Sequence, residues 1–288
     1  MYDTPEQQWE KCKKEHSDAE KSPGIHFNRP STPFQLVMPG GIEKFQSIHF
    51  DMTLSEEMTT VSFEWRSTTR KMDLPLLEIL IDQYKPGFLN YSMEDYDKHS
   101  CAVSDPNFKF TIGKRHIVKL FYDTKDSILV VMIDGAYGLF HTLENFQAGS
   151  LHDTVRITGH VSIDAVHVPY DTSLPLPLTI QLEPGNHDEC LCEIRGKRRT
   201  NGSEQMTVTL GKRAISLPIH GKGDTEDVQV KVSRSARGYF DVSFNDKLVE
   251  ALDVIASEAT IDGHVDISWV ETGTRVQGSA SEVSDAKL

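Results

Sequence analysis

Ile157-Thr158-Gly159-His160-Val161-Ser162-Ile163 recurs later in the chain as Ile261-Asp262-Gly263-His264-Val265-Asp266-Ile267. Both copies alternate apolar and polar residues, as half-buried β-strands do. Each copy follows a strand pair closed at a turn. In the first half Ile128-Leu129-Val130-Val131-Met132-Ile133 runs into Asp134-Gly135. In the second Tyr239-Phe240-Asp241-Val242-Ser243-Phe244 runs into Asn245-Asp246. Asp-Gly after an apolar run is a strong hairpin signal, because both turn residues tolerate positive φ. One supersecondary unit therefore occurs twice.

Further strands are read outward from these units. Phe45–Met52, Thr60–Trp65, Ile117–Phe121 and Val228–Val232 all show period-two alternation between turn signals. No long amphipathic helix interrupts either half. Short alternating segments of this kind predict an all-β fold of antiparallel sandwiches. The seam Pro169-Tyr170-Asp171-Thr172-Ser173-Leu174-Pro175-Leu176-Pro177 separates the copies, since proline cannot continue a central strand. Four segments are expected: a disordered or partly helical tail over residues 1–30, a first sandwich over 31–170, a shorter second sandwich over 174–272, and a disordered tail over 273–288.

With 288 residues the chain is comfortable for two domains. Its formal net charge of -13 disfavours general nucleic-acid binding, because a phosphate backbone would be repelled. The one basic cluster, Lys197-Arg198-Arg199, reads as a solvated hairpin tip. The four cysteines are too few and too scattered for a disulfide framework, and Cys190 and Cys192 are spaced for neither a zinc knuckle nor a CxxC redox pair. Free thiols suggest a reducing compartment, cytoplasmic or nuclear. The first sixteen residues, MYDTPEQQWEKCKKEH, lack the apolar stretch of a signal peptide, and no run approaches a membrane span.

No chemistry-bearing motif stands out. There is no HExxH, no P-loop, no GxGxxG and no carboxylate pair at adjacent alternating positions. Neither a catalytic residue nor a metal or cofactor is expected. Trp65 and Trp269 fall in strand patterns and read as core or sheet-face residues.

The order of features in the first half resembles galectins, the β-galactoside-binding lectins. It runs through Pro33-Phe34-Gln35-Leu36, the Gly40-Gly41 turn, Phe110-Thr111-Ile112-Gly113, Ile133-Asp134-Gly135, Phe140-His141-Thr142-Leu143 and the closing Val155–Ile163. The second half, from Leu174 to Thr272, looks like a shortened relative. The resemblance implies two jelly-roll sandwiches in tandem and a sugar site on one concave face. In the family that site needs His-x-Asn-Pro-Arg on one strand, Asn on the next, and Trp-Gly-x-Glu-x-Arg beyond.

This chain departs from that pattern. The equivalent strand, Leu76–Tyr84, holds no His, Asn or Arg, and no tryptophan follows near Tyr96. The resemblance therefore leaves a groove of Glu78, Asp82, Gln83, Tyr84, Asn90 and Tyr96. In the second half His220 is the only residue of matching type. Ile25-His26-Phe27-Asn28-Arg29-Pro30 imitates the sugar motif with its last two residues exchanged, but it precedes the first expected strand and reads as coincidence. These features imply a binding protein that is not an enzyme. It is expected to act as an interaction scaffold, holding protein partners on its sheet faces or edges. A lectin with altered contacts is the alternative, and a homodimer through open edges would fit either.

Overall fold

The computed structural model describes residues 4–37, 47–55, 60–66, 77–82, 88–93, 98–102, 111–123, 128–142, 154–170, 173–174, 176–182, 190–199, 205–219, 227–235 and 237–273. One helix, α1 (Pro5–Lys21), precedes the strands. The first half then holds β1 (Gly24–Asn28), β2 (Phe34–Val37), β3 (Ile48–Leu54), β4 (Thr60–Arg66), β5 (Leu77–Asp82), β6 (Phe88–Met93), β7 (Lys98–Ala102), β8 (Arg115–Asp123), β9 (Ile128–Ile133), β10 (Ala136–Thr142), β11 (Thr154–Gly159) and β12 (Val161–Pro169). The second holds β13 (Leu178–Gln181), β14 (Cys190–Arg198), β15 (Gln205–Leu210), β16 (Arg213–Pro218), β17 (Asp227–Arg234), β18 (Phe240–Phe244), β19 (Lys247–Leu252), β20 (Glu258–Gly263) and β21 (Val265–Thr272).

The strands form an eleven-stranded sheet, β10-β9-β8-β3-β12-β1-β21-β14-β17-β18-β19, a six-stranded sheet, β2-β11-β4-β5-β6-β7, and a four-stranded sheet, β13-β20-β15-β16. The large sheet is laid out symmetrically about β1, with five strands on each side. The repeated units fill matching places: β12 answers β21, β8 answers β17, and the β9–β10 hairpin answers β18–β19. The smaller sheets match likewise, except that β6 and β7 have no counterpart among the described residues of the second half. That is where the second sandwich is short.

Sequence explains the corners. Asp134 (φ 51) with Gly135 (φ 88), and Asn245 (φ 47) with Asp246 (φ 62), both take the two positive φ values of a type I′ hairpin turn. The Gly-His pairs of the repeat carry the chain from one sheet to the other. Gly159 (φ 112) ends β11 in the six-stranded sheet and Gly263 (φ 130) ends β20 in the four-stranded sheet, while β12 and β21 both lie in the large one. His160 and His264 sit exposed at these corners.

A single apolar core runs beneath all three sheets, from Phe50, Met52 and Val166 in the first half to Val208, Val230 and Ile261 in the second. The second half is no detached unit, because β1 joins the halves. It pairs antiparallel with β12 and parallel with β21, so Ile25 lies between Val168 and Val270. This parallel pair departs from the wholly antiparallel expectation.

The expected partly helical tail over residues 1–30 does hold a helix, Pro5–Lys21, but the strand Gly24–Asn28 that follows it lies within the large sheet. Thr4 caps α1 with a capping box, its Oγ1 accepting from Gln7 N while Gln7 Oε1 accepts from Thr4 N. Ile25, His26 and Phe27 are buried at the centre of the large sheet. A strand too short to show alternation was indistinguishable from a tail in sequence. Residues 274–288, expected as the second tail, lie outside the described residues.

Candidate binding faces

The six-stranded sheet turns one face to the core and the other away from it, where Ser62 is buried and the Glu64 side chain is 11% exposed. Alternation decides which residues lie where. Phe34, Leu36, Val61, Phe63, Val155 and Ile157 are buried against the core. Their sequence neighbours line the opposite face in rows. The register aligns Gln35 with Arg156, Arg156 with Glu64, Glu64 with Glu78, Glu78 with Ser92, and Ser92 with Lys98. A second row runs Thr158, Ser62, Leu80, Asn90 and Ser100. Thr60 lies opposite Asp82 at the end of the face.

Of the residues expected in the groove, Glu78 and Asp82 thus fall at alternate positions of β5, and Asn90 at the matching register of β6. Gln83, Tyr84 and Tyr96 lie outside the described residues, as does His220. Sequence reading overlooked Glu64, Arg156 and Gln35, which share the row with Glu78. Their alternation with Phe63, Ile157, Phe34 and Leu36 was the available signal. The Arg156 guanidinium stands 3.9 Å from the Glu64 carboxylate. Among the described residues, the row holds one other cation, Lys98 at its end.

The outer face of the large sheet carries a different row. Lys119, His49, His167, His26, Glu271, Glu193 and Lys231 follow one another across β8, β3, β12, β1, β21, β14 and β17. Helix α1 covers its first part, burying Cys12, His16 and Ala19. Glu15 Oε2 accepts from Lys119 Nζ at 2.7 Å. His16 lies with its ring 5.0 Å from His167 and 6.0 Å from His49, and its Nε2 is 3.8 Å from Asp51 Oδ2. Arg115 grips that same carboxylate through two guanidinium nitrogens.

Hydrogen bonds fix the proton positions here. His26 Nε2 is 3.1 Å from the Ser22 carbonyl oxygen, so it donates. Neutral His26 then has only Nδ1 as acceptor, and His167 Nδ1–H donates to it at 3.1 Å. His49 Nε2 bonds Ser47 Oγ at 2.8 Å, and His26 stacks on Trp269 at 3.9 Å. Burial lowers all four pKa values: His16 below the usual histidine range, His26 to about 4, His49 to about 3 and His167 to about 2. Lys119 and His16 add to the effect at His49, and the neighbouring histidines add to it at His167. Burial also pushes the Cys12 thiol up to about 12.

Sequence reading missed this cluster and took Ile25–Pro30 for a decoy. The signal was present in three copies of one pattern: Ile25-His26-Phe27, Ile48-His49-Phe50 and Val166-His167-Val168. Each places a histidine between two core residues, and so on the opposite side of its strand. No group of three or more metal-ligating side chains is placed to hold an ion among the described residues. No described helix is long and apolar enough to cross a membrane.

About half of this chain is similar in fold to galectins. Galectin LEC-6 of Caenorhabditis elegans matches 50% of this chain and 96% of its own at 15% identity, with a TM-score of 0.40. Sheep galectin-11, solved in complex with glycerol, matches 48% and 98% at 8% identity, with a TM-score of 0.38. No protein-family profile and no curated protein sequence matches the chain. The galectin-like fold stands on the strand order and register described above.

Proposed function

We propose that this chain is a non-catalytic binding protein whose six-stranded sheet, on the face turned away from the core, takes a cationic ligand, a basic or amphipathic segment of a protein partner. One observation carries the reading: Glu64 and Glu78 occupy directly opposed positions in an antiparallel pair. Opposed like charges destabilise a sheet, and a cation laid between them relieves the repulsion. Asp82 extends the acidic strip along β5. The net charge of -13 favours encounter with a basic partner. The ancestral reading remains that of a carbohydrate-binding fold whose usual galactoside contacts are replaced.

A lectin with altered contacts is the second reading. The observation favouring it is the Arg156–Glu64 pair beside Gln35, groups able to bond sugar hydroxyls.

Calorimetric titration of the intact chain with a lysine- and arginine-rich peptide panel, alongside a glycan array, separates the two. The first reading expects peptide binding that weakens with salt and drops about tenfold or more in Glu78→Gln, one lost charge pair being worth roughly 1.4 kcal/mol or more. Lactose is expected to leave the melting temperature unchanged, whereas a ligand at a hundred times its Kd adds about 2.7 kcal/mol. Glycan binding with no response to the peptides would replace the first reading by the second.

A further inference from the structure

We propose that α1 is an acid-released cover: it lies over the His26–His167–His49 row at neutral pH and leaves it when these histidines and His16 take up protons.

The geometry demands neutral rings. The His26–His167 bond holds one proton between two Nδ1 atoms, and a second would set N–H against N–H. Three histidines at successive cross-strand positions would become three like charges side by side. His16 would add a fourth from above, 5.0 Å from His167. All four are buried, so charging them in place also forfeits hydration. Lifting α1 uncovers the row and removes that cost.

The surrounding charges do not reverse the sign. Facing the cluster are Cys12, Glu15 and Glu20 from α1, Asp51 from β3, Arg115 and Lys119 from β8, Asp164 from β12, Glu271 from β21 and Asp134 from the β9–β10 turn. Of the nearest carboxylates, Asp51 is held by Arg115, Glu15 by Lys119 and Glu271 by Asn28. The net direction for every one of the four rings is downward.

Beyond His16, the helix is held by the Glu15–Lys119 bond and by Gln8 packed against Gly135, with little apolar burial. Its buried positions comprise Cys12, His16 and Ala19, which offer little apolar area. Elements with so few buried apolar contacts open at low free-energy cost. The sheet beneath is anchored independently on its core side by Phe50, Met52, Val166 and Val168.

The sign follows from linkage. These pKa values are lower when α1 is docked than when it is released, where they return towards about 6.5. Docking is therefore undisturbed above pH 6.5 and weakens progressively as pH falls from there towards the docked values. Each histidine with a docked pKa near 4 or below shifts the equilibrium about 20-fold between pH 7 and pH 5.

Pulsed hydrogen exchange of the intact chain, corrected for the intrinsic rate at each pH, tests this. Amides of residues 5–21 are expected to lose protection by about 100-fold or more between pH 7 and pH 5, while those of 48–54 lose less than about tenfold. His16→Gln, which changes only the helix, is expected to reduce the drop. His26→Gln/His167→Gln, which changes only the sheet, is expected to reduce it further. The proposal is overturned if residues 5–21 and 48–54 lose protection together, if neither does, or if both variants retain the wild-type drop.

Discussion

Asn28 Nδ2 donates to Glu271 Oε1 across 2.8 Å, joining β1 to β21 at the parallel seam between the halves. Beside it, a Cβ on Gly273 would overlap the Asn28 carbonyl oxygen, so the two segments meet with no room for a side chain. The strand that looked like a tail is thus the element about which the two sandwiches are arranged. Truncation to residue 22 should leave a folded protein, since it removes α1 and spares β1. Truncation to residue 28 should expose the β12 and β21 edges and give an aggregating product. Asn28→Ala should cost about 1.5–3 kcal/mol, the worth of a hydrogen bond to a charged group. Urea titration of the truncated and substituted proteins checks all three.

The hairpin turns supply a second comparison. Asp134 donates its N–H to Ile117 O and accepts from Ile117 N through Oδ1; Asn245 does the same with Gln229. The repeat therefore extends to side-chain roles that the quoted heptapeptides do not contain. They differ in their second side-chain atom: Asp134 Oδ2 lies 2.7 Å from Nδ1 of the fully buried His116, whereas Asn245 Nδ2 donates to the Asp227 carbonyl oxygen at 3.4 Å. Asn245→Ala should destabilise by about 1–2 kcal/mol, and Asp134→Ala by at least about 1 kcal/mol more, with an unchanged denaturant slope. Equal losses would show that the His116 contact contributes no more than the Asn245–Asp227 bond.

Much of this fold was legible because it is written in periods. Alternation marked β3, β4, β8, β17 and β18, an apolar run marked β9, Asp-Gly and Asn-Asp marked the hairpins, and the Gly-His repeat marked the doubled unit, although Val155–Ile163 read as one strand is two, in different sheets. What escaped was not periodic. Five residues of β1 cannot show alternation, and its partners lie more than a hundred residues away in sequence. The polar face was legible only in part. Glu78, Asp82 and Asn90 were placed by analogy with a family motif, whereas Glu64 and Arg156 join them through register, which no single strand reveals. The histidine row was missed for the same reason: three scattered histidines become neighbours only once β3, β12 and β1 are paired.

The sheet crossing at Gly263 should be intolerant of any side chain. Its φ of +130 is unfavourable for L-residues, and an added Cβ would stand 2.8 Å from Gln205 O and 2.9 Å from Met206 Cα, both backbone atoms. Gly238 (φ +82) has open space around it. Gly238→Ala should cost about 1 kcal/mol, from backbone strain alone. Gly263→Ala should cost more than about 2 kcal/mol, strain and steric displacement together. Thermal unfolding of the pair measures the difference, and equal losses would mean that β15 yields freely.

Cys12 offers a neutral-pH view of the same helix. Its thiol is buried between α1 and the β9–β10 turn, and burial first, then the charges of Asp134 and Glu15, push its pKa up to about 12. Only the thiolate attacks a disulfide reagent, so at pH 8 the docked thiol has almost none of the reactive form. Modification must then await opening of the helix, and its rate reports the open population. Labelling with an aromatic disulfide at pH 8, followed by peptide mapping, should find Cys12 at least about a hundredfold slower than the same residue in urea-unfolded chain. Glu15→Gln removes the partner of Lys119 Nζ and also one of the two charges that hold the Cys12 pKa up, so both changes act towards faster labelling. It should speed labelling by a few-fold, the worth of a half-exposed ion pair of about 0.5–1 kcal/mol. A wild-type rate already equal to that of the unfolded chain would show that α1 does not cover the sheet at neutral pH.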